Sequence, residues 1–539
     1  MSGSITLENR FGVNKMELIS LKYAIFVIVL LVLYYCFPKK YRWYVLLAGS
    51  MAYYVIICKW YVLFIIFTIC TTYGSTIWID KLLKKQNAIV KSHKEDWDRQ
   101  TRKEYKEKGR KKRVAVMLFA LLCNFGILAF LKYIPYAGAL GLLLPLGISF
   151  YTFQSMGYVM DVYREIVEPE KNFLKVALFV SFFPQIIQGP IAIYDKLAGQ
   201  LYEGHSLRLE NLQKGALLVL WGVMKKLVIA DRAVNIINFV MDKPMDFSGT
   251  YVFFAAVVYA LQLYADFSGG IDIVRGIAEM FGITMSTNFN HPYFSRSLTE
   301  YWHRWHMTLG DWCRNYIFYP LSISKRFLNF GKWLKPRFGA HISKVLPGCI
   351  ASVITFIVIG VWHGANMKYL YFGLWNGIVI MLAELFAPVN KKVAGGFFKL
   401  TGLREKGIFA TIVSVLWTFM LILVGYYFDI AANASTAFHM LFKSVTDFHI
   451  SELGINNIIL NLGACGLDEY DILLLIICTL LWFFISFVEE NKKLDMRDFI
   501  LSRKLPLRWA IIYLGIFIVI IFGYYGPGVN PADFVYMQF

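Results

Sequence analysis

The chain has 539 residues, of which 58% are hydrophobic and only 17% are charged, and its formal net charge is +19. A soluble domain usually carries about 45–50% apolar and about 25% charged residues, so this composition excludes a cytosolic enzyme and a disordered chain. The basic residues fall mainly between apolar stretches rather than on one soluble domain, which excludes a nucleic-acid-binding module. The chain is therefore predicted to be an integral membrane protein.

A membrane-spanning helix needs roughly 20 mostly apolar residues, and twelve stretches of the chain are candidates. These predicted spans are 18–37, 43–58, 60–79, 114–134, 137–158, 213–240, 251–275, 347–366, 369–388, 408–429, 472–488 and 508–525. A further apolar segment, 173–194, is interrupted by Pro184 and Pro190 and is predicted to be re-entrant or kinked. Segment 297–323 mixes charged residues with Trp and Tyr, and is predicted to form an interfacial amphipathic helix.

The basic stretch 80–113 indicates how the chain is oriented. It contains 14 Lys and Arg residues and 6 Asp and Glu residues, and therefore has a net charge of +8. Because Lys and Arg concentrate in cytoplasmic loops, residues 80–113 are predicted to form a basic cytoplasmic loop. Segment 430–471 has a single basic residue, Lys443, and is predicted to be an extracellular excursion. With twelve spans both termini lie outside, and residues 526–539 form an extracellular C-terminal tail.

Two histidines are the candidate catalytic residues. His306 lies in a run rich in Trp, Tyr and Arg, whereas His363 lies at the end of an apolar span with Gly360 and Gly364 close by. An ionisable residue inside a membrane segment is costly and is a functional candidate by default. Imidazole titrates near neutral pH and suits general-base work on a hydroxyl that attacks an activated acyl group. The nearby glycines are expected to leave His363 open to a substrate.

Three other interpretations stay open at this point. Either imidazole could be hydrogen-bonded within a helix interface without any catalytic role. His303 and His306 are three residues apart, but no acid or cysteine cluster completes a set at ligand spacing, so no metal is expected. Broken apolar helices and buried ionisable residues also occur in transporters, although no internal repeat of the kind common in transporters is visible.

Several short motifs of this chain occur together in one known family. They are Pro145–Phe150, Asp161 with Tyr163 and Arg164, Phe183–Gln185 with Gly189 and Pro190, Tyr264–Gly269, Asn288 and Phe289 with Pro292 and Tyr293, Arg304–His306, Trp312, Arg314, Tyr316, Pro320 with Leu321, and Trp362–Gly364. In this combination the chain resembles the membrane-bound O-acyltransferase (MBOAT) family. The resemblance is greatest to its bacterial branch, which acts in alginate and peptidoglycan O-acetylation and in teichoic acid D-alanyl transfer.

The resemblance implies an all-α polytopic membrane protein in which residues 1–539 form a single MBOAT membrane domain. In the family fold, a ring of transmembrane helices with re-entrant and interfacial helices surrounds a thin central channel. The histidine of the Trp-His-Gly motif is the catalytic one in the family, which implies that His363 is the base. The earlier motif position corresponds to His306, which would orient or polarise the reactants. The other motif residues implied to support the channel are Arg304, Trp305, Arg314, Trp362 and Asn366.

The implied activity is that of an O-acyltransferase in the plasma membrane of a bacterium. A cytosolic thioester, either acetyl-CoA or an acyl carrier protein, is the expected donor, and no permanently bound cofactor is expected. Because its length is similar to that of the polysaccharide O-acetylation proteins, the chain is predicted to acylate, most simply acetylate, an extracellular polysaccharide or cell-wall polymer. D-alanyl transfer to teichoic acid is the alternative within the family. The expected partners are membrane lipids, the donor or its carrier protein, and an extracellular acyltransferase or polymer partner.

The aromatic C-terminal ending around Tyr536 permits two interpretations. It is similar to the ending seen in the O-acetylation proteins. In one interpretation it is an aromatic anchor at the membrane interface. In the other, the tail folds back towards the channel mouth, and the Tyr536 hydroxyl takes the acyl group before a partner passes it on. A phenol with a pKa of about 10 needs a base to attack a thioester, which is the role assigned to His363.

Overall fold

The computed structural model describes residues 18–134, 142, 144–401, 404, 407–454, 465–526 and 534. Within these residues every regular element is a helix, and seven helical stretches are long and apolar enough to cross a membrane. An eighth candidate is added if the bent pair Met367–Leu385 and Ala387–Thr401 crosses as one span. The prediction of an all-α polytopic membrane protein is confirmed.

The helices belong to two compact units. The first comprises the described residues of Met1–Val219 and Ile273–Ser286, and the second those of Leu220–Asp272 and Thr287–Phe539. Two helices, Leu209–Met224 and Gly249–Met280, contribute residues to both units. His306 and His363 both belong to the second unit.

The first unit is packed around buried tyrosine and phenylalanine rings. Its own helices are Leu21–Cys36, Arg42–Cys58, Val62–Ser92, Arg99–Tyr133, Ile148–Tyr163, Phe173–Ser181, Phe183–Gln188 and Tyr194–Tyr202. The ring of Phe183 lies edge-on to Phe26, with centroids 5.4 Å apart. Gly147 precedes a helix with a φ of 68°, and a β-carbon there would lie 2.3 Å from the carbonyl oxygen of Ile186. Only glycine fits this close approach between the two backbones.

The predicted interruption in segment 173–194 is confirmed. Two short helices, Phe173–Ser181 and Phe183–Gln188, are separated at Phe182, whose φ of −52° and ψ of 113° are not helical. Pro184 lies in the first turn of the second helix, where its missing N–H costs no hydrogen bond. The break is buried on all sides within the first unit, as irregular backbone at membrane depth requires.

The basic stretch 80–113, predicted to be a cytoplasmic connection between spans, is largely helical. Helix Val62–Ser92 runs through its first part and helix Arg99–Tyr133 through its last part. Lys, Arg, Gln and Glu are good helix formers, which explains why the charged residues simply extend the two apolar helices. The Asp98 carboxylate caps the second helix by accepting a hydrogen bond from the Thr101 N–H at 2.9 Å. The cytoplasmic location of this helical hairpin stays a prediction.

A cysteine introduced at Lys103, which is exposed, is expected to resist a membrane-impermeant thiol reagent in intact cells and to react after lysis. The reason is the +8 charge of residues 80–113, which favours the cytoplasm. Thr446→Cys, in the segment predicted to be extracellular, is the matched control and should react in intact cells. Labelling of the unaltered protein gives the background from the eight native cysteines. Labelling of the Lys103→Cys protein in intact cells would show that the chain has the opposite orientation to the one predicted.

The second unit contains long helices together with several short ones. Its own helices are Asp231–Met241, Leu298–Arg304, Met307–Cys313, Tyr319–Ser322, Lys325–His363, Met367–Leu385, Ala387–Thr401, Ile408–Ile430, Ala434–Thr446, Glu469–Lys492, Met496–Leu501 and Leu505–Phe522. Helix Lys325–His363 is kinked at Gly339, whose φ is 80° and ψ is 176°. The predicted excursion 430–471 contains helix Ala434–Thr446, and part of it lies outside the described residues.

The predicted number of twelve spans is too high for the part of the chain that is described. The stretches 43–58 and 60–79 form two helices, Arg42–Cys58 and Val62–Ser92, which are separated by a break at Lys59 (φ 50°) and lie in one candidate stretch, Lys39–Ser92. Helix Leu21–Cys36 has only 16 residues and is therefore about 24 Å long, which is less than the roughly 30 Å of a bilayer core. The predicted span 137–158 lies partly outside the described residues, and its remainder belongs to a helix that begins at Ile148.

Segment 213–240 is interrupted by buried charges and is not among the candidate spans. A π-helical turn, Lys225–Ala230, lies between Leu209–Met224 and Asp231–Met241. The Lys226 ammonium nitrogen lies 2.7 Å from an Asp266 carboxylate oxygen and 2.8 Å from an Asp231 oxygen. These side chains are at most 3% exposed. The mean hydropathy of the segment did not reveal this ion cluster, which is buried in the second unit.

Candidate active site

The chain breaks at His306 rather than continuing as a helix. Trp305 is extended, and His306 has a left-handed backbone with a φ of 43° and a ψ of 51°. The prediction of one amphipathic helix over 297–323 is therefore wrong, because the segment forms several short helices around this break. A non-glycine residue in the left-handed region is uncommon, and such strain is concentrated at functional sites. The His306 side chain is buried, with a relative exposure of 2%.

Asn288 holds the His306 ring and the backbone that follows it. The Asn288 side-chain oxygen accepts hydrogen bonds from His306 Nδ1 at 3.1 Å and from the Thr308 hydroxyl at 2.8 Å. The Asn288 carbonyl oxygen accepts a hydrogen bond from the Met307 N–H at 2.9 Å. An amide oxygen can only accept, so the proton of a neutral His306 lies on Nδ1. Burial, with a smaller contribution from the charge of His363, lowers the pKa of His306 to about 3. This imidazole is therefore neutral at physiological pH.

His363 is the last residue of helix Lys325–His363. A β-carbon on Gly364 would lie 2.5 Å from the Tyr369 ring, and one on Gly360 would lie 2.3 Å from the Tyr369 carbonyl oxygen. Tyr369 occupies the space beside both glycines, whereas His363 itself is half-buried and lines a cavity. The glycines instead allow helix Met367–Leu385 to pack closely against the helix that carries His363.

The structure brings His306 and His363 to the same cavity, although 57 positions separate them in the sequence. The Trp362 ring lies 6.3 Å from the His306 ring and 4.9 Å from the His363 ring, measured between centroids. The other lining residues are mostly apolar or aromatic: Leu263, Tyr301, Trp302, Trp305, Leu309, Phe372, Asn376, Ile422, Tyr426 and Asp429. The free volume is about 20 Å³, which suffices for a water-sized group. Two imidazoles thus line one small, mostly apolar cavity.

Of the other predicted motif residues, the two tryptophans lie at the centre of this site. Trp305 lines the cavity and is 5% exposed, and Trp362 contacts the two histidine rings. Arg304 instead pairs with two carboxylates, Glu300 at 2.7 Å and Glu490 at 3.0 Å.

The two remaining predicted residues are tied to local structure outside the cavity lining. Arg314 pairs with Asp311, three residues earlier on the same helical segment. Asn366 caps helix Met367–Leu385, since its side-chain oxygen accepts a hydrogen bond from the Lys368 N–H at 3.1 Å. Arg314 is thus tied to the segment that follows His306, and Asn366 to the helix that follows His363.

Several polar groups for which no role was predicted from the sequence share the cavity. The Tyr301 and Tyr426 hydroxyls are 2.7 Å apart, and Trp302 Nε1 donates a hydrogen bond to the Asn376 side-chain oxygen at 3.0 Å. Asp429 is the only charged residue of helix Ile408–Ile430, and that isolation was a usable signal. Within the described residues, no group of three or more His, Cys, Asp or Glu side chains is placed to hold a metal ion.

His306→Ala is expected to reduce acyl transfer less severely than His363→Ala, and His306→Asn should retain more activity than His306→Ala. Asparagine tolerates the left-handed backbone better than alanine and keeps a polar group in place. Initial rates measured on purified protein test this order, with His303→Ala as the control because His303 is exposed in the same segment. Complete loss in both His306 variants would contradict an orienting role.

Residues 169–335 match the sequence model of the membrane-bound O-acyltransferase family, MBOAT. The matched segment contains Asn288 and His306 and ends before His363.

Curated relatives extend the similarity over more of the chain. A Pseudomonas syringae protein named "Probable alginate O-acetylase AlgI" is 30% identical over 58% of this chain and 54% of its own length. The Helicobacter pylori peptidoglycan O-acetyltransferase is 30% identical over 51% of this chain and 56% of its own. The Bacillus subtilis teichoic acid D-alanyltransferase is 26% identical over 52% of this chain and 67% of its own. The chain thus spans little more than half the length of the first two of these relatives.

Proposed function

We propose that this chain is a membrane-bound O-acyltransferase that moves an acyl group from a cytosolic thioester across the membrane for O-acylation of an extracellular polysaccharide or cell-wall polymer. The observation that carries the proposal is the meeting of two histidines in one buried cavity. The acyl group is most simply acetyl, because several relatives at about 30% identity are named for O-acetylation. The donor is acetyl-CoA or an acyl carrier protein.

In the proposed mechanism His363 acts as the general base. It takes the proton of the acceptor hydroxyl as that oxygen attacks the thioester carbonyl carbon. The carbon–sulfur bond then breaks, and the His363 imidazolium returns the proton to the departing thiolate. The products are an O-acyl ester and a free thiol. His306, kept neutral by burial and oriented by Asn288, polarises or orients the reactants and does not itself change its protonation state.

Two other functions make different predictions. D-alanyl transfer to teichoic acid is supported by the 26% identity to a D-alanyltransferase, and it differs only in the acyl group and the acceptor. A lipid or small-molecule transporter would use the buried polar groups to move an intact substrate. Acyl transfer from a thioester is therefore expected of an O-acetyltransferase or a D-alanyltransferase, but not of a transporter.

The test is acyl transfer by purified protein in detergent or in vesicles. With acetyl-CoA labelled in the acetyl group, free thiol and labelled O-acetyl ester, formed on the protein or on an added acceptor, should appear in equal amounts. A D-alanyl thioester of a carrier protein, supplied in place of acetyl-CoA, tests the second function. Transport of an intact compound without thiol release from either thioester would refute the acyltransferase proposal.

The proposed setting is the plasma membrane of a bacterium, with both termini outside. The family and the apolar helices support a multi-pass membrane protein, while the sides of the termini rest on the distribution of Lys and Arg. Donor or carrier protein would approach from the cytosol. An extracellular acyltransferase or the polymer itself would receive the acyl group outside.

We further propose that Tyr536 is an acyl acceptor on the C-terminal tail. Tyr536 lies outside the described residues, but Phe534, two positions earlier, is described. The Phe534 ring is 5% exposed and lies over the Lys226 ammonium group at 4.5 Å. A buried Phe534 supports a tail that folds back onto the second unit more than it supports an anchor that lies only at the membrane interface.

Tyr536→Phe is expected to end acyl transfer to polymer while preserving the ring. The hydroxyl is the group that would carry the acyl ester, so its removal leaves nothing for a partner to pass on. Mass spectrometry of the intact wild-type protein should show an acyl adduct on the tail that depends on donor. Tyr525→Phe, at an exposed tyrosine before the tail, is the matched control. Full polymer acylation by Tyr536→Phe would reduce the residue to an aromatic anchor.

A further inference from the structure

The π turn Lys225–Ala230 offers one backbone carbonyl to the segment that follows the last described helix. The Asp231 N–H donates its hydrogen bond to the Lys226 carbonyl oxygen, whereas in an α-helix it would donate to that of Leu227. The Leu227 carbonyl oxygen instead accepts a hydrogen bond from the Tyr524 N–H at 2.9 Å. A π turn inside a helix is rare and often marks a functional site. This one binds the beginning of the C-terminal tail.

Arg232 makes a second contact with the same part of the chain. Its guanidinium donates a hydrogen bond to the Phe522 carbonyl oxygen at 2.5 Å and lies 5.5 Å from the centre of the Tyr524 ring. The same guanidinium pairs with the Asp471 carboxylate at 2.9 Å. The last carbonyl groups of a helix have no partner within it. Arg232 therefore caps helix Leu505–Phe522 and fixes the point from which the tail starts.

The third contact lies farther along the tail, where the Phe534 ring covers the Lys226 ammonium group. The ammonium nitrogen lies 4.5 Å from the ring centroid, and the ring is 5% exposed. Two carboxylates, Asp231 and Asp266, hold the ammonium group from its other sides. A cation over the face of an aromatic ring is attracted to it, most strongly when both are removed from water. Three residues thus form a dock for the tail: Lys226, Leu227 and Arg232.

This tail dock is close to the first histidine of the site. Asp266, which pairs with Lys226, is followed directly by Phe267. The Phe267 ring lies edge-on to the His306 ring, with centroids 4.9 Å apart. Two residues of chain span at most about 7 Å, so a seated Phe534 limits how far the α-carbon at position 536 can be from the dock.

We propose that the tail dock positions Tyr536 for acylation, and that the Lys226 ammonium group seats the tail through Phe534. The dock itself transfers nothing. The Tyr536 hydroxyl gives its proton to His363 and attacks the thioester carbonyl carbon. The carbon–sulfur bond breaks, and the proton passes from His363 to the thiolate, which leaves a tyrosine ester and a free thiol. Lys226 is thus a positioning residue, and the inference rests on the proposed acceptor role of Tyr536.

An ion cluster that served only folding makes a different prediction. Loss of the Phe534 ring would then lower the melting temperature and reduce every activity of the protein alike. A dock for the tail predicts an unchanged melting temperature and a loss that is confined to acylation of the tail. It also predicts that a tail supplied as a separate molecule can take the place of the missing one.

The first experiment incubates purified full-length protein with acetyl-CoA and follows the acetyl adduct on the tail by mass spectrometry of the intact protein. Phe534→Ala should form the adduct about thirtyfold more slowly than wild type, because it loses both the buried ring and the contact with the cation. Phe517→Ala is the matched control, since Phe517 is an exposed ring on the preceding helix. It should form the adduct within about twofold of the wild-type rate.

The second experiment adds a synthetic peptide of residues 526–539 to the Phe534→Ala protein, whose own tail no longer occupies the dock. The peptide should be acetylated on its single tyrosine, Tyr536, and this rescue requires a folded protein. The same peptide with Phe534→Ala should react at least about tenfold more slowly. A peptide with pentafluorophenylalanine in place of Phe534 keeps the ring but loses its negative face, and it should react about three- to thirtyfold more slowly.

The outcomes separate the dock from the proposals on which it rests. A wild-type adduct rate in the Phe534→Ala protein, or equal acetylation of the native and the fluorinated peptides, would overturn the positioning role of Lys226 and leave Tyr536 as the acceptor. A wild type that forms no adduct but still acylates polymer would remove Tyr536 as acceptor, and this inference with it. Equal CoA release by wild type and His363→Ala would overturn the proposed function itself.

Discussion

His363→Ala is expected to abolish acyl transfer while the protein remains folded. General-base catalysis contributes about 10²–10⁴ in rate, and in this cavity the other imidazole is kept neutral and engaged by Asn288. His363 also ends its helix, so the substitution removes no residue from a helix interior. The rate should fall by at least the lower of these factors, with an unchanged melting temperature in detergent.

His341→Ala is the control for this experiment. His341 is exposed on the same helix, and its ring nitrogen contacts the Leu385 carbonyl oxygen at 3.1 Å. Its loss should leave the transfer rate within about twofold of wild type, since surface substitutions have small effects. Wild-type turnover in a folded His363→Ala protein would rule out the proposed mechanism.

Asp266→Ala is expected to lower the free energy of unfolding by about 3–5 kcal/mol, the cost of removing one partner from a buried ion pair. Asp266 is 0% exposed and lies 2.7 Å from the Lys226 ammonium nitrogen. Asp231, at 2.8 Å, would remain as the second carboxylate but would leave part of the lysine charge without compensation. Thermal unfolding in detergent measures the effect as a large drop in melting temperature.

Asp246→Ala tests whether this loss is specific to the buried cluster, because Asp246 is exposed. It should change the free energy of unfolding by no more than about 0.5 kcal/mol. Asp266→Asn should destabilise less than Asp266→Ala, since the amide oxygen still accepts a hydrogen bond from Lys226. Equal stability of Asp266→Ala and wild type would show that the cluster contributes nothing to folding.

Composition and hydropathy were sufficient to predict the class of fold, because a membrane leaves helices and closed barrels as the only spanning structures. They were not sufficient to delimit the spans. Segment 213–240 is apolar on average, yet Lys226, Asp231 and Asp266 pair inside it and beside it. The Lys226–Asp266 pair joins residues 40 positions apart and is a tertiary property, which a local hydropathy average does not contain.

The two histidines could be selected from the sequence because ionisable residues are rare in apolar surroundings. The residues that surround the two histidines could not be selected from the sequence. Asn288 orients His306 from 18 positions away, and the glycines around His363 serve the packing of Tyr369. A glycine in a sequence does not show whether the space left by its missing side chain is filled by a substrate or by a neighbouring helix. Asp429 carried a readable signal, since it is isolated in an apolar helix, but its place in the cavity needed the structure.

The π turn Lys225–Ala230 makes this segment tolerant of a change in length among related sequences. A π turn holds one residue more than an α turn, and the wider turn absorbs that residue. Deleting one residue between Lys226 and Asp231 would therefore restore an ordinary helix and leave the following helix, Asp231–Met241, on the face it presents now. Asp231 would stay beside Lys226, and Arg232 would stay beside Asp471, whose carboxylate lies 2.9 Å away. Relatives with a one-residue gap here should therefore keep acidic residues at positions 266 and 471.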